Sequence, residues 1–175
     1  MVLKNSLNVI LEGKVGNSFG CLFYAYYIAK KANKKLAINS VNNLNNLASF
    51  YDLFSKKNNF QHSEYSVTEL NNKVSKEIPF FLHKGHYVES GAVKDREVIF
   101  HRGMSEDELL NNISKYDSIC YLDDASAHAM RNPDIMIESA KELIIEENIL
   151  KAVKDFCSKN NIDENTKGVH IRATD

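Results

Sequence analysis

Ser6-Leu7-Asn8-Val9-Ile10-Leu11-Glu12-Gly13-Lys14-Val15-Gly16-Asn17-Ser18, read together with the residues that follow as far as Ile38, decides the fold of this chain. From Ser6 to Glu12, Leu7, Val9 and Leu11 fall on one face and Ile10 on the other. That is the two-residue period of a β-strand with apolar side chains on both sides. Gly13 to Ser18 reads as a tight turn. A helix is expected from about Ser18 to Asn33, where Ala25, Ala29 and Ala32 recur at helical spacing between Leu22 and Ile28. Such a stripe of small residues lets a helix backbone lie close against a sheet. Lys34-Lys35 ends the helix, and Leu36-Ala37-Ile38 forms a second strand. Strand, glycine turn, helix, strand is a βαβ unit, for which a right-handed crossover is expected.

Outward from this unit the pattern is weaker and then recovers. Asn39 to Asn46 reads as a polar, Asn-rich loop, Leu47 to Phe54 as a short helix, and Ser55 to Glu77 shows little periodicity. Pro79 to Leu82 fits a strand or a buried loop, and Val98-Ile99-Phe100 a buried strand. Ser105 with Glu108 forms a capping box that opens a helix to about Lys115. Ser118 to Leu122 is a further apolar strand, ending in Asp123-Asp124. Near Glu146 an amphipathic helix begins, with Ile149, Ala152, Val153, Phe156 and Cys157 along one face and Asn160-Asn161 closing it. In the last residues, Val169 and Ile171 alternate with His170 and Arg172, again the period of a strand. Repeated β-then-α order gives the fold class: α/β, Rossmann-like, a mostly parallel sheet flanked by helices. No internal repeat is present.

Composition narrows the function. Lys plus Arg is 22 against 23 Asp plus Glu, a net charge of −1, which argues against electrostatic binding of nucleic acid. Cys21, Cys120 and Cys157 are far apart and form no CxxC pair, so buried free thiols in a reducing compartment are expected. The apolar run Leu7 to Leu11 is too short for a signal peptide core or a membrane span. A cytoplasmic protein with no nucleic-acid and no membrane partner is the expectation.

Several side chains are candidates for chemistry. On the final strand one face carries the His170 imidazole, the Arg172 guanidinium and then the Thr174 hydroxyl. A planar, always charged guanidinium matches phosphate oxygens, so a phosphate-bearing ligand is the natural partner; a solvated edge strand is the plainer alternative. The Gly13-x-x-Gly16-Asn17 turn can bring backbone N–H groups at a helix N-terminus to an anion or a sugar, or serve only as a turn. It matches neither the GxGxxG fingerprint nor a P-loop, since Asn8 stands where the first P-loop glycine belongs and Val15 replaces Ser or Thr. His83 and His86, with His101 or His128, have spacing that metal ligation allows, but without an HExxH motif or a cysteine partner they read as scattered surface histidines. Asp123-Asp124 ends a strand, where open α/β sheets place ligands. The pair reads as a strand-end cap, or as holder of a divalent cation or a base. His101-Arg102-Gly103 is a second candidate anion contact.

Two of these segments together resemble a known family. Gly13-Lys14-Val15-Gly16-Asn17, the helix to Lys30 and Leu36-Ala37-Ile38 resemble the opening of fucosyltransferases that use GDP-fucose. That group includes the protein O-fucosyltransferases, the nodulation fucosyltransferases and the α1,6-fucosyltransferases. His170-Ile171-Arg172-Ala173-Thr174-Asp175 resembles the group's H-x-R-x-T-D motif, with Ala173 where the nearest relatives carry a second Arg. The resemblance implies a two-domain GT-B glycosyltransferase with its active site in the cleft between Rossmann-like domains. It implies that Arg172 binds the donor diphosphate and that His170 orients the donor or a neighbouring carboxylate. Gly13, Gly16, Asn17, Thr174 and Asp175 would then line the donor and acceptor sites, and no metal or other cofactor is needed.

In that family most of the donor-binding domain follows the motif. Residues 1–165 are therefore expected to be the N-terminal, acceptor-side domain, and residues 166–175 the first strand of a truncated donor-binding domain. The implied partners are GDP-fucose and a glycan acceptor, and the chain alone is expected to be inactive. Two alternatives stand beside this. One is a non-catalytic Rossmann-like module that binds a glycan or a partner; the other is a metal-dependent sugar-nucleotide enzyme using Asp123 and Asp124.

Overall fold

The computed structural model of the 175-residue chain describes residues 4–11, 15–40, 53–54, 56–58, 60–123 and 133–168, with the backbone alone at 15–17 and 56. Strand β1 (Ser6–Leu11) is buried along its whole length. Leu7, Val9 and Leu11 enter one core cluster and Ile10 a second on the opposite face of the sheet. Helix α1 (Val15–Lys31) returns the chain to β2 (Lys35–Ser40), which pairs with β1 in parallel from Ser6 opposite Lys35 to Leu11 opposite Ser40. Leu22, Ala25, Ile28 and Ala29 are buried in the same cluster as Leu7 and Val9, so the small-residue stripe is the face of α1 that meets the sheet.

Beyond this unit come β3 (Gln61–Ser63), α2 (Val67–Lys73), β4 (Phe80–Leu82), α3 (His86–Glu89) and β5 (Val98–Phe100). They are followed by α4 (Glu106–Ile113), β6 (Ile119–Leu122), α5 (Pro133–Glu142) and α6 (Glu147–Lys159). The six strands lie in the order β3-β2-β1-β6-β4-β5, and every neighbouring pair is parallel. The molecule is thus an α/β, Rossmann-like fold with an all-parallel sheet flanked by helices. Buried residues of α1 and α4 pack on one face, those of α2 on the other. The usual dinucleotide-binding order sets the fourth strand beside the first. Here β6 takes that place, with β4 and β5 outside it, so the carboxyl ends of β1 and β6 flank the point where the chain reverses its march across the sheet.

Strand β4 is short, yet Phe80, Phe81 and Leu82 are all fully buried. Each contributes about 1.5–3 kcal/mol by burial, more than the ~1 kcal/mol net of a ladder hydrogen bond, so packing rather than length holds this strand.

Several expectations change. Helix α1 starts at Val15, so Gly16 and Asn17 belong to its first turn rather than to a loop ending at Ser18; short βα connections are the norm in such sheets. Strand β2 runs on through Asn39 and Ser40, both buried. The Asn39 side chain is polar because it ties down the next segment: its Oδ1 accepts from the Tyr65 N–H at 2.9 Å and from Ser63 Oγ at 2.8 Å, and its Nδ2 donates to the Tyr65 carbonyl at 2.7 Å. The stretch from Ser55 to Glu77 holds β3 and α2, not an irregular run. Strand β5 is an edge strand, so Val98 and Ile99 are only half-buried and Phe100 is 48% exposed. Cys157 is half-buried, whereas Cys21 and Cys120 are buried, and none of the three forms a disulfide. On α6 the apolar stripe is largely uncovered, with Val153 54% and Phe156 61% exposed. Among the described residues no helix is long and apolar enough to cross a membrane.

Candidate functional site

In a parallel sheet the positions just past the strand ends share one rim. The register pairs Leu82 of β4 with Phe100 of β5 and with Leu122 of β6. One residue further on, that alignment sets His83, His101 and Asp123 side by side. The backbone ladder continues through them, since the His83 N–H donates to the Leu122 carbonyl and the His101 N–H to the Leu82 carbonyl, both at 3.1 Å. Each stands two residues after Phe81, Ile99 or Tyr121, side chains of the core on the α1 side. Strand alternation therefore sends all three to that same face.

The three side chains converge there and are buried: His101 is fully covered, and His83 and Asp123 are each only 7% exposed. One nitrogen from each imidazole and one carboxylate oxygen all lie within 4.8 Å of one another. His83 Nδ1 is 3.5 Å from Asp123 Oδ1. The rings of His83 and His101 meet edge to face with centroids 5.5 Å apart, and His101 stacks on Tyr121 at 4.9 Å. His101 Nε2 lies 3.1 Å from the Leu122 carbonyl. A carbonyl only accepts, so Nε2 carries the proton and the lone pair of the neutral ring is on Nδ1.

Helix α1 closes the site from above. Cys21 Sγ donates to the Asp123 carbonyl at 3.3 Å, and Tyr24 lies buried in the same core cluster. Burial first, and then the Glu106 and Asp123 carboxylates, raise the Tyr24 phenol above its ordinary value. Burial with Asp123 beside it does the same to Tyr121. Both phenols stay protonated at neutral pH.

Of the residues singled out in the sequence, His83, His101 and Asp123 come together. The reading of His83 and His101 as surface histidines is corrected: parallel register at the strand ends, invisible in their spacing, buries and gathers them. His86 and Arg102 are exposed and stand outside the cluster. Gly16 and Asn17 lie in the first turn of α1, one turn before Cys21. Gly13, Asp124, His128, His170, Arg172, Thr174 and Asp175 lie outside the described residues, as does the closing strand. Sequence reading overlooked Cys21, Tyr24 and Tyr121, which are indistinguishable there from ordinary core residues.

A groove of about 700 Å³ also runs between α1 and α5. Several of its polar groups are taken up with one another: Tyr26 donates to Glu142 at 3.1 Å, Tyr27 to Glu106 at 2.7 Å and Lys30 to Glu142 at 2.6 Å. The chain matches no known family model, no curated protein and no solved structure.

Proposed function

We propose that this chain is the acceptor-side half of a GDP-fucose-dependent glycosyltransferase of the GT-B type, acting in the cytoplasm on a glycan or another hydroxyl acceptor. The observation that carries the reading is the β1–turn–α1–β2 unit. The carboxyl end of β1 and the first turn of α1, which holds Gly16, lie beside β6, where open parallel sheets hold their ligands. Two further features support it. Cysteines without disulfides suit a reducing compartment, and the uncovered stripe of α6 suits a chain that packs against a further domain.

In this reading Arg172, on the H-x-R-x-T-D segment, neutralises the charge left on the diphosphate as the bond to fucose breaks. A guanidinium held in place beforehand favours that charge-separated state, and this step draws on no metal. His170 orients the donor, with Thr174 and Asp175 beside it, while Gly13, Gly16 and Asn17 border the acceptor hydroxyl. The test is transfer of labelled fucose from GDP-fucose to a glycan acceptor by the protein that continues this chain into a donor-binding half. Transfer that disappears in the 175-residue chain alone is the expected result. Turnover by those residues by themselves, or none by the longer protein, overturns the reading.

A further inference from the structure

We propose that His83, His101 and Asp123 bind a divalent first-row transition ion, with Zn²⁺ the first candidate. Sugar transfer, as proposed above, does not require this site, and the inference does not rest on that reading.

The donor set argues for the class of ion. Two imidazole nitrogens and one carboxylate oxygen suit Zn²⁺, Co²⁺, Fe²⁺ or Mn²⁺, whereas Mg²⁺ and Ca²⁺ take oxygen ligands throughout. The spacing fits as well. Ligand bonds of about 2.0–2.1 Å at a tetrahedral angle put two donors about 3.3 Å apart, and His83 Nδ1 stands 3.5 Å from Asp123 Oδ1. One donor atom from each of the three side chains lies within 4.8 Å of the other two.

The surroundings supply what metal ligands require. A ligating histidine commonly donates its other ring N–H to a carbonyl, which fixes the tautomer. His101 does this through Nε2 to Leu122. All three ligands stand one residue past the ends of adjacent strands, and backbone bonds carry the ladder on through His83 and His101, so the sheet sets where the ligands sit. Three protein ligands leave a fourth position for water or for an oxygen of a small ligand, the arrangement of catalytic rather than structural zinc sites.

The full chain, stripped with a chelator and titrated with Co²⁺, tests this. The expected result is one ion per chain, a visible d–d absorption of a four- or five-coordinate site, and displacement by Zn²⁺. Zn²⁺ should also raise the melting temperature of the stripped protein. His83→Gln and Asp123→Asn should each weaken Co²⁺ binding by roughly 10–100-fold or more and remove the Zn²⁺-induced shift, while the exposed His86→Gln leaves both unchanged. Circular dichroism checks that each variant is folded. If fully buried His101 tolerates no substitution, the other two variants decide the matter. Absence of Co²⁺ uptake by the folded wild-type chain overturns the proposal and leaves a self-contained cluster of imidazoles and carboxylate. Uptake that survives His83→Gln and Asp123→Asn together overturns it too.

Discussion

Arg96 shows how much a single side chain can settle. Its guanidinium donates to the carbonyls of Ser75 and Ile78 beyond α2, lies over the Phe80 ring at 5.1 Å, and donates to the carbonyls of Asn71 and Val74 at the C-terminal end of α2. Those carbonyls have no partner inside the helix, and a cation at that end also meets the helix dipole favourably. Arg96→Ala should cost about 2–3 kcal/mol, the scale of hydrogen bonds to a charged group, and a urea melt reads it directly. Cysteine reactivity makes a second residue-level case. Burial pushes the Cys120 thiol up to about 12, and Cys21 is buried as well. In the folded chain a disulfide reagent at mildly alkaline pH should therefore modify Cys157 alone, and all three thiols after unfolding. For the proposed transfer reaction, Arg172→Ala should cost about 2.7–4 kcal/mol of transition-state stabilisation, roughly 10²–10³-fold in kcat. Unchanged turnover would exclude Arg172 from the chemistry.

Among the elements, α1 and β6 share a set of buried phenols. Tyr24 and Tyr121 are raised by burial, and Tyr27, buried in part and bonded to Glu106, is raised to about 12. The unfolded chain gives up these protons near 10.0, the folded one only at higher pH. Between those values the folded state binds more protons, so stability falls as pH rises. Stability present up to about pH 10 should be lost above it, and phenolate absorbance should grow together with the loss of helical circular dichroism. Ionisation of Tyr24 or Tyr121 itself ahead of unfolding, followed by NMR apart from the other tyrosines of the chain, would contradict this. The same elements show what the sequence disclosed. β1, α1 and β6 announce themselves because apolar residues recur at the right period. α4 does so through Ser105 and Glu108, whose capping box is formed as read. α2 carries an identical box, Ser66 with Glu69, and was legible by the same rule. It goes unread because Asn71, Asn72 and Lys73 blur its apolar face. The cluster of His83, His101 and Asp123 was beyond reach, since it depends on which strands are neighbours, and local periodicity carries no information about strand order.

For the whole molecule, the sheet is covered on both faces, but α6 keeps its apolar stripe outward, with Leu150 40% exposed alongside Val153 and Phe156. Phe156→Glu should accordingly change the stability of the chain by no more than about 0.5 kcal/mol, as expected of a surface substitution. A thermal melt that drops well beyond this would mean the stripe is packed after all. The strand order has a different reach. β1 and β6 meet across more than a hundred positions of sequence, as the bond between Ser6 and Ser118 with its separation of 112 shows. While the nascent chain leaves the ribosome, β1 with β2 and β4 with β5 can each pair early, yet the two halves have no shared seam until the wedge between them has been synthesised. Both inner edges stay open to wrong partners during that interval. Folding that waits on such distant pairing is slow, and a messenger cut short ahead of Ile119 would release two half-sheets that chaperones or proteases must deal with.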